Sequence, residues 1–342
     1  MKILITGGFG FIGTNAAKYF ATLGHEIFIL DNLSRKGNFD NYIYLQSLDL
    51  NIRFLIKDIR NYNDLIVVFQ NQQFDSIIHL AAQVAVTTSV IDPRLDFEIN
   101  CLGTFNILEC CRLFCPNASF LYASTNKVYG EFDLMIDELP LRYNSKNFTG
   151  INEIQPLDFH SPYGCSKGCG DQYVIDYSRI YNMKTVCLRQ SCIYGPNQFG
   201  IEDQGWVSWF GIASIFDKPI TIYGSGKQVR DVLFIYDLLK LYHKLINNID
   251  KCIGQAYNIG GGLNYTLSLL ELVDLLSNKL KKNINCNFTD WRPGDQKIYI
   301  SNIDKIYNDI GWFPETQISN GLDDMLEWLC NNQNILKNLQ LI

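Results

Sequence analysis

A chain of 342 residues that is 47% hydrophobic and carries a formal net charge of −6 can bury one large α/β core or two linked ones, and its acidic balance leaves no basic footprint for nucleic acid. No stretch approaches the roughly eighteen uninterrupted apolar residues of a membrane span, and Met1–Gly8 turns glycine-rich too soon for a signal peptide, so a soluble cytoplasmic protein is expected. Eleven scattered cysteines without a CxxC pair argue against zinc and for free thiols in a reducing compartment; no metal site is expected.

The chain opens on an apolar run, residues 2–6, that fits a buried parallel strand. Gly7-Gly8-Phe9-Gly10-Phe11-Ile12-Gly13 follows at once, then a helical stretch to Gly24. Strand, glycine turn and helix make a dinucleotide site: Gly7 for the tight turn, Gly10 for approach of a pyrophosphate, Gly13 for helix-on-strand packing. The helix N-terminus then offers free N–H groups and partial positive charge to the phosphates. A second strand, residues 26–30, ends at Asp31, placed to accept hydrogen bonds from an adenosine ribose; a carboxylate there favours NAD over NADP, although Arg35 is near enough to bind a 2′-phosphate.

Further strands over 53–57, 76–80 and 120–123, alternating with helices, predict a doubly wound, Rossmann-type parallel sheet with ligands at the strand C-terminal ends. His79, inside an apolar run, reads as a satisfied core histidine. Residues 93–115 read as one long helix, with Pro93 at its start and Pro116 just beyond. Tyr163 and Lys167 are four apart on the next helix, so both face one side, and a nearby ammonium is expected to lower the phenol pKa from about 10. That would make Tyr163 a base for an alcohol proton. His160, at the entry to that helix, reads as a capping or packing residue before a catalytic one.

Beyond a strand at 186–189, Arg230 and Arg292 are the best phosphate or ribose contacts, because a guanidinium fork matches those oxygens; the competing reading pairs them with Asp231 and Asp295 on the surface. Ser268 and Glu271 are spaced as a capping box for a helix to about Leu280, and another helix is expected over 319–330. The tail from Asn331 is asparagine-rich, and its end is expected to be loose. The division expected is 1–190 for the dinucleotide domain, with later segments returning to it, and 191–342 mainly for a smaller α/β substrate lobe.

The glycine motif, the Ser124-Thr125 loop and the Tyr163/Lys167 pair together resemble the extended short-chain dehydrogenase/reductase superfamily, in its NAD-dependent epimerase/dehydratase branch. The resemblance implies bound NAD and a catalytic set of Thr125, Tyr163 and Lys167. It implies cofactor contacts from Gly7, Gly10, Phe11, Ile12, Gly13, Asp31, Asn32, Ser34, Arg35, Asp58, Ile59, Leu80, Ala81, Gln83, Asn100, Tyr163 and Lys167. It implies substrate contacts from Thr125, Asn126, Gln190, Ser191, Gln204, Trp206, Val207, Lys227, Gln228, Arg230, Arg292 and Asp295.

Sugar-nucleotide 4,6-dehydratases of this superfamily carry an Asp-Glu pair after the threonine; this chain has Asn126-Lys127, which cannot replace paired carboxylates, so elimination is disfavoured. The runs 124–130, 157–168, 203–207 and 31–37 are similar to the 2-epimerases of CDP-linked 3,6-dideoxyhexoses (CDP-paratose to CDP-tyvelose). That resemblance implies NAD retained through each cycle, a transient 2-keto sugar, a role in O-antigen or other surface-polysaccharide synthesis, and a homodimer or homotetramer. The alternatives are a UDP-hexose 4-epimerase and a catalytically idle dinucleotide-binding sensor.

Overall fold

The computed structural model describes residues 1–292 and 295–339. Its main sheet has seven parallel strands in the spatial order Gln255–Ile259, Lys184–Gln190, Ser119–Thr125, Ser76–His79, Lys2–Thr6, Glu26–Asp31 and Ile52–Ile56. The chain winds outward from Lys2–Thr6 to Ile52–Ile56, then returns on the other side through Ser76–His79. That reversal leaves a crevice beyond the strand ends, where ligands of such sheets bind. The doubly wound sheet expected from the strand–helix alternation is therefore present.

Residue alternation along the strands builds two cores. Ile3, Ile5, Ile27, Ile29, Ile78 and Leu121 point to one face, whereas Leu4, Phe28, Leu30, Ile77, Phe120 and Tyr122 point to the other, as a strand period of two requires. Helix Phe11–Thr22 packs on the first face, and helix Gly103–Phe114 on the second. The strand Gln255–Ile259, which sequence periodicity did not single out, carries the second half of the chain back to the sheet beside Lys184–Gln190. The smaller lobe holds Cys192–Tyr194, Val229–Phe234, Thr266–Ser268 and Ile298–Tyr299 as a mixed sheet. A separate parallel pair joins Ile220–Tyr223 to Cys286–Thr289. No helix among the described residues is long and apolar enough to cross a membrane.

Two local readings changed. The helix expected over 93–115 is interrupted by a π turn, Glu98–Leu102, between Pro93–Phe97 and Gly103–Phe114; such turns recur at functional sites, and this one holds Asn100. Ser268 and Glu271 do form the capping box, but of a helix that starts at Leu269, after a short strand Thr266–Ser268. The asparagine-rich tail forms a helix, Gln333–Asn338, with Leu336 fully buried against the core, and its end, positions 340–342, lies outside the described residues. The motif at 291–296 is described except for positions 293–294, which lie outside the described residues.

His79 is the core residue it was expected to be. Its Nδ1 shares a 2.6 Å hydrogen bond with Thr6 Oγ1 and its Nε2 a 3.0 Å bond with Thr104 Oγ1, and its ring stacks on Tyr122. Burial, helped by the Lys167 charge, pushes it down to about 3. The unfolded chain therefore takes up this proton first, near its ordinary pKa of about 6.5. The His79 contribution is complete above that pH and is lost as pH falls towards 3. Urea denaturation is expected to show a stability falling by about 3 kcal/mol from pH 6.5 to pH 4 through this group, and His79→Gln, measured in parallel, should flatten that slope.

Candidate active site

The glycine turn lies at the end of the first strand. Gly7 adopts φ +67°, and a Cβ there would stand 2.7 Å from Ala81 N, so only glycine lets this turn pack under Leu80-Ala81. Thr6 Oγ1 accepts from both Leu80 N and Ala81 N at 3.2 Å, fixing that neighbouring loop. The helix Phe11–Thr22 has no side chain capping its N-terminus and no acid in its first turn. Its first N–H groups thus face the crevice uncompensated, which fits a pyrophosphate.

Asp31 is buried at the end of its strand. Its Oδ2 accepts from Phe9 N at 3.1 Å and its Oδ1 from Leu33 N at 2.8 Å, with Asn38 Nδ2 at 3.2 Å. Burial pushes this carboxyl up, and those bonds oppose the rise. The carboxylate therefore braces the glycine turn. On the next strand end, Asn32 Nδ2 donates to Asp58 Oδ2 at 2.9 Å, and the Arg60 fork holds Asp58 down at about 2. Ile59 is buried, while Ser34 is exposed at the rim with its N–H donating to Asn32 Oδ1. Arg35 reaches across the crevice, donating to Gln204 Oε1 of the second lobe at 2.7 Å.

The π turn brings Asn100 against Gln83: Gln83 N donates to Asn100 Oδ1 at 2.8 Å, and Asn100 Nδ2 donates to Gln83 O at 2.9 Å and Ser166 Oγ at 3.1 Å. Asp96, fully buried, collects Gln83 Nε2 at 2.8 Å, Asn100 Nδ2 at 3.1 Å and the Ser166 hydroxyl. Sequence reasoning missed Asp96 and Ser166. Their only signals were an acid one turn before Asn100 and a serine beside Lys167, neither distinctive alone.

The helix Ser161–Tyr181 aligns Tyr163, Lys167 and Asp171 one turn apart. Ser161 holds φ +65° and accepts from Gly164 N at 3.2 Å, so it caps the helix in place of His160. A left-handed, non-glycine residue stores strain beside a functional group. His160 turns outward, its Nε2 2.8 Å from Asp158 Oδ2, and is about half exposed; it does not enter the site.

Tyr163, Thr125 and Lys167 converge at the end of strand Ser119–Thr125, all nine-tenths or more buried. The acid–base expectation needs correction for the protein alone. Burial pushes the Tyr163 phenol up to about 12, against the hydrogen bond with Thr125; Asp96 adds to the rise and Arg35 opposes it. Lys167 Nζ donates to Ala123 O at 2.6 Å and sits 4.2 Å above the Tyr122 ring. Burial brings this ammonium down to about 8, against the charges of Cys187, Asp171 and Asp96. Desolvation is the leading cause of both shifts.

Beneath them lies a network that sequence reasoning did not find. Arg189 grips Asp171 through Nε and an Nη, both at 3.0 Å, and is 5% exposed against 0% for the acid. Ser124 Oγ and Cys187 Sγ each donate to Asp171 at 2.8 Å, and Arg189 also donates to Tyr129 OH at 2.9 Å. Burial alone would raise the Asp171 carboxyl, but the Arg189 fork outweighs it and holds the group below its ordinary range.

The residues expected to touch substrate divide. Trp206 Nε1 is 3.4 Å from Cys192 Sγ, Arg230 pairs with Asp295 at 2.6 Å, and Lys127, next to Thr125 and Asn126 in the chain, feels the charges of Arg230 and Asp295. Arg292 lies over the Tyr223 ring at 3.9 Å and bonds Asp203 at 2.9 Å. Both arginines are thus held by acids, but Arg230 by Asp295 and Arg292 by Asp203 rather than by Asp231 and Asp295 as the competing surface reading had it. Gln190 donates into the core at Tyr242 OH, 2.7 Å; Ser191 Oγ donates to Asp231 at 2.5 Å; Lys227 pairs outward with Glu138 at 2.7 Å. These three side chains are committed to protein partners. Gln228 donates to Tyr223 O at 2.7 Å but leaves its buried Oε1 without a partner among the described residues, and Val207 is buried under the cleft.

Comparison with known proteins agrees with this geometry. Residues 4–325 match the family described as GDP-mannose 4,6 dehydratase. The chain is 46% identical over 337 residues to CDP-paratose 2-epimerase of Salmonella typhi, covering 96% of this chain and 99% of that one. Among solved structures, UDP-glucuronic acid 4-epimerase from Bacillus cereus, in complex with UDP-glucuronic acid and NAD, superposes with a TM-score of 0.84 at 27% identity, covering 97% and 99%. dTDP-glucose 4,6-dehydratase from Bacillus anthracis, in complex with NAD, gives a TM-score of 0.84 at 26% identity over 99% of each chain. The chain belongs to the GDP-mannose 4,6 dehydratase family, within the NAD-dependent epimerases and dehydratases of the extended short-chain dehydrogenase/reductase superfamily.

Proposed function

We propose that this protein is an NAD-retaining isomerase that inverts C2 of a CDP-linked 3,6-dideoxyhexose, converting CDP-paratose to CDP-tyvelose. The observation that carries the reading is the 46% identity, end to end, to a CDP-paratose 2-epimerase. Asn126-Lys127 beside Thr125 supports it, since neither side chain can act as the carboxylate pair of an elimination.

The residues fit the cofactor. Gly7, Gly10 and Gly13, with the N–H groups of Phe11 and Ile12, would hold the pyrophosphate, and Asp31, Asn32, Ser34 and Arg35 the adenosine ribose. Asp58 and Ile59 would flank adenine, with Leu80, Ala81, Gln83 and Asn100 lining the inner end and Lys167 on the second ribose. When bound, NAD supplies the hydride acceptor that no side chain can provide.

The protein's own groups manage the proton and the sugar. Tyr163, as phenolate, takes the C2 hydroxyl proton while Thr125 hydrogen-bonds the same oxygen. The 2-keto sugar then turns in the cleft, and Tyr163 returns the proton once C2 is reduced from its other face. Arg230 and Arg292, exchanging Asp295 and Asp203 for phosphate oxygens, hold the diphosphate. A cytoplasmic homo-oligomer in surface-polysaccharide synthesis completes the reading. Exposed apolar residues on the elements at 86–102 (Val90, Ile91, Phe97) and on the Tyr163 helix (Tyr173, Ile180) support self-association.

Purified protein is expected to carry NAD and to convert CDP-paratose to CDP-tyvelose, followed by proton NMR, with no net NADH; inversion at C4 of UDP-glucose in its place would overturn the reading. Tyr163→Phe should keep its NAD and lose turnover by about 10²–10⁴-fold. Asp31→Ala removes the brace of the glycine turn and a ribose acceptor. Its NAD content after gel filtration should fall with an affinity loss of about tenfold, and wild-type content there would remove Asp31 from the site.

A further inference from the structure

Two lysines flank Thr125. Lys167 is committed to Ala123 O and the Tyr122 face. Lys127 is not: only its backbone is fixed, its N–H donating to Thr125 Oγ1 at 3.2 Å, and its carbonyl lies against the start of the Tyr163 helix at Gly164. Among the described residues, its ammonium has no ion pair and no hydrogen bond.

The groups around it are those of the sugar cleft. Burial lowers the Lys127 pKa, Arg230 adds to the fall, and Asp295 and Cys192 oppose it. These neighbours come from separate segments: Cys192 and Arg230 lie on paired strands of the second lobe, and Asp295 is already taken by Arg230 at 2.6 Å. Two cations thus lie about one carboxylate, an arrangement that a ligand supplying oxygens would relieve.

Resting on the reading of function above, we propose that Lys127 is a sugar-binding residue. Its ammonium holds a ring-substituent oxygen while the C2 ketone turns, and so retains the intermediate until it is reduced. The chemistry of the side chain suits that task. The sugar must present both faces of C2 while its diphosphate stays gripped. A compact charge with three donors on a four-carbon stem can follow a moving oxygen, whereas the planar guanidinium of Arg230 suits a stationary phosphate. An ammonium also cannot take a proton from the carbon beside the ketone, so the anchor does not promote loss of water from the intermediate.

The test compares NAD-loaded wild type with Lys127→Met and Lys127→Arg. Three quantities are measured: CDP affinity by calorimetry, epimerisation of CDP-paratose by proton NMR, and reduced nicotinamide by its near-ultraviolet absorbance. Lys127→Met is expected to bind CDP as wild type does and to epimerise about tenfold to hundredfold more slowly, the loss of one charged hydrogen bond. It should also accumulate reduced cofactor as the 2-keto sugar escapes and leaves its hydride behind. Lys127→Arg should stay severalfold below wild type. Wild-type turnover without reduced cofactor in Lys127→Met would overturn the proposal, as would CDP affinity falling in step with turnover, which places the ammonium on the diphosphate, or full activity in Lys127→Arg. If wild type itself leaves CDP-paratose unchanged, the functional reading fails instead, and the same measurements on UDP-glucose, with UDP in place of CDP, then judge Lys127.

Discussion

The geometry of this site depends on one buried ion pair. Asp171 projects from the Tyr163 helix one turn beyond Lys167, and Arg189 from the strand beside Thr125, where it is in register with Ser124. An isolated buried pair seldom repays its desolvation. This one is bidentate, and the acid also accepts from Ser124 and Cys187 at Oδ2 and from Gln172 at Oδ1. The full set of bonds lets only one registration of helix against strand satisfy every member. Thr125 is one residue from it, Lys167 one helical turn and Tyr163 two. Their convergence is therefore a consequence of the network rather than of contacts among themselves.

That rigidity has an electrostatic cost at the phenol. Enclosing Tyr163 and Lys167 removes water from both, and each moves towards its neutral form, the phenol up to about 12 and the ammonium down to about 8. Attraction between the ammonium and a phenolate, the effect the Tyr163/Lys167 spacing suggests, would move the tyrosine the opposite way. In the protein alone, desolvation is the larger effect. Asp96, on the far side of the helix, adds to it. The site is preorganised in geometry before it is poised in charge, and an acidic Tyr163 has to await a ligand that brings positive charge into the cleft.

Much of the fold was legible because it rests on local rules. The glycine turn after an apolar strand, the acid closing the next strand and the capping box at Ser268 each follow from a few adjacent residues. What was hidden depends on partners distant in sequence. The π turn at Glu98–Leu102 exists where Asn100 meets Gln83 and Ser166, 17 and 66 residues away, and no property of residues 93–115 announces it. Arg189 looked like any strand end until Asp171 was set opposite. Gln190 follows the alternation of its strand into the core, where Tyr242 receives its amide, so proximity in sequence to a substrate loop did not carry its side chain there.

The dehydratase and epimerase branches of this fold are separated by two side chains more than by architecture. The same sheet, at similar TM-scores, carries a 4-epimerase and a 4,6-dehydratase. A transient ketone with a hydroxyl two carbons away is open to elimination wherever a base can reach the intervening carbon. Next to Thr125 this chain places an amide and a cation whose neighbours are Arg230 and Asp295, and among the described residues no carboxylate is free of a cation or hydrogen-bond donor there. Asp295 is engaged by Arg230, and Asp96 and Asp171 are fully buried and held by hydrogen-bond donors. The cleft can therefore form and hold a ketone while lacking the base that would consume it, and reduction is the course its own residues leave open.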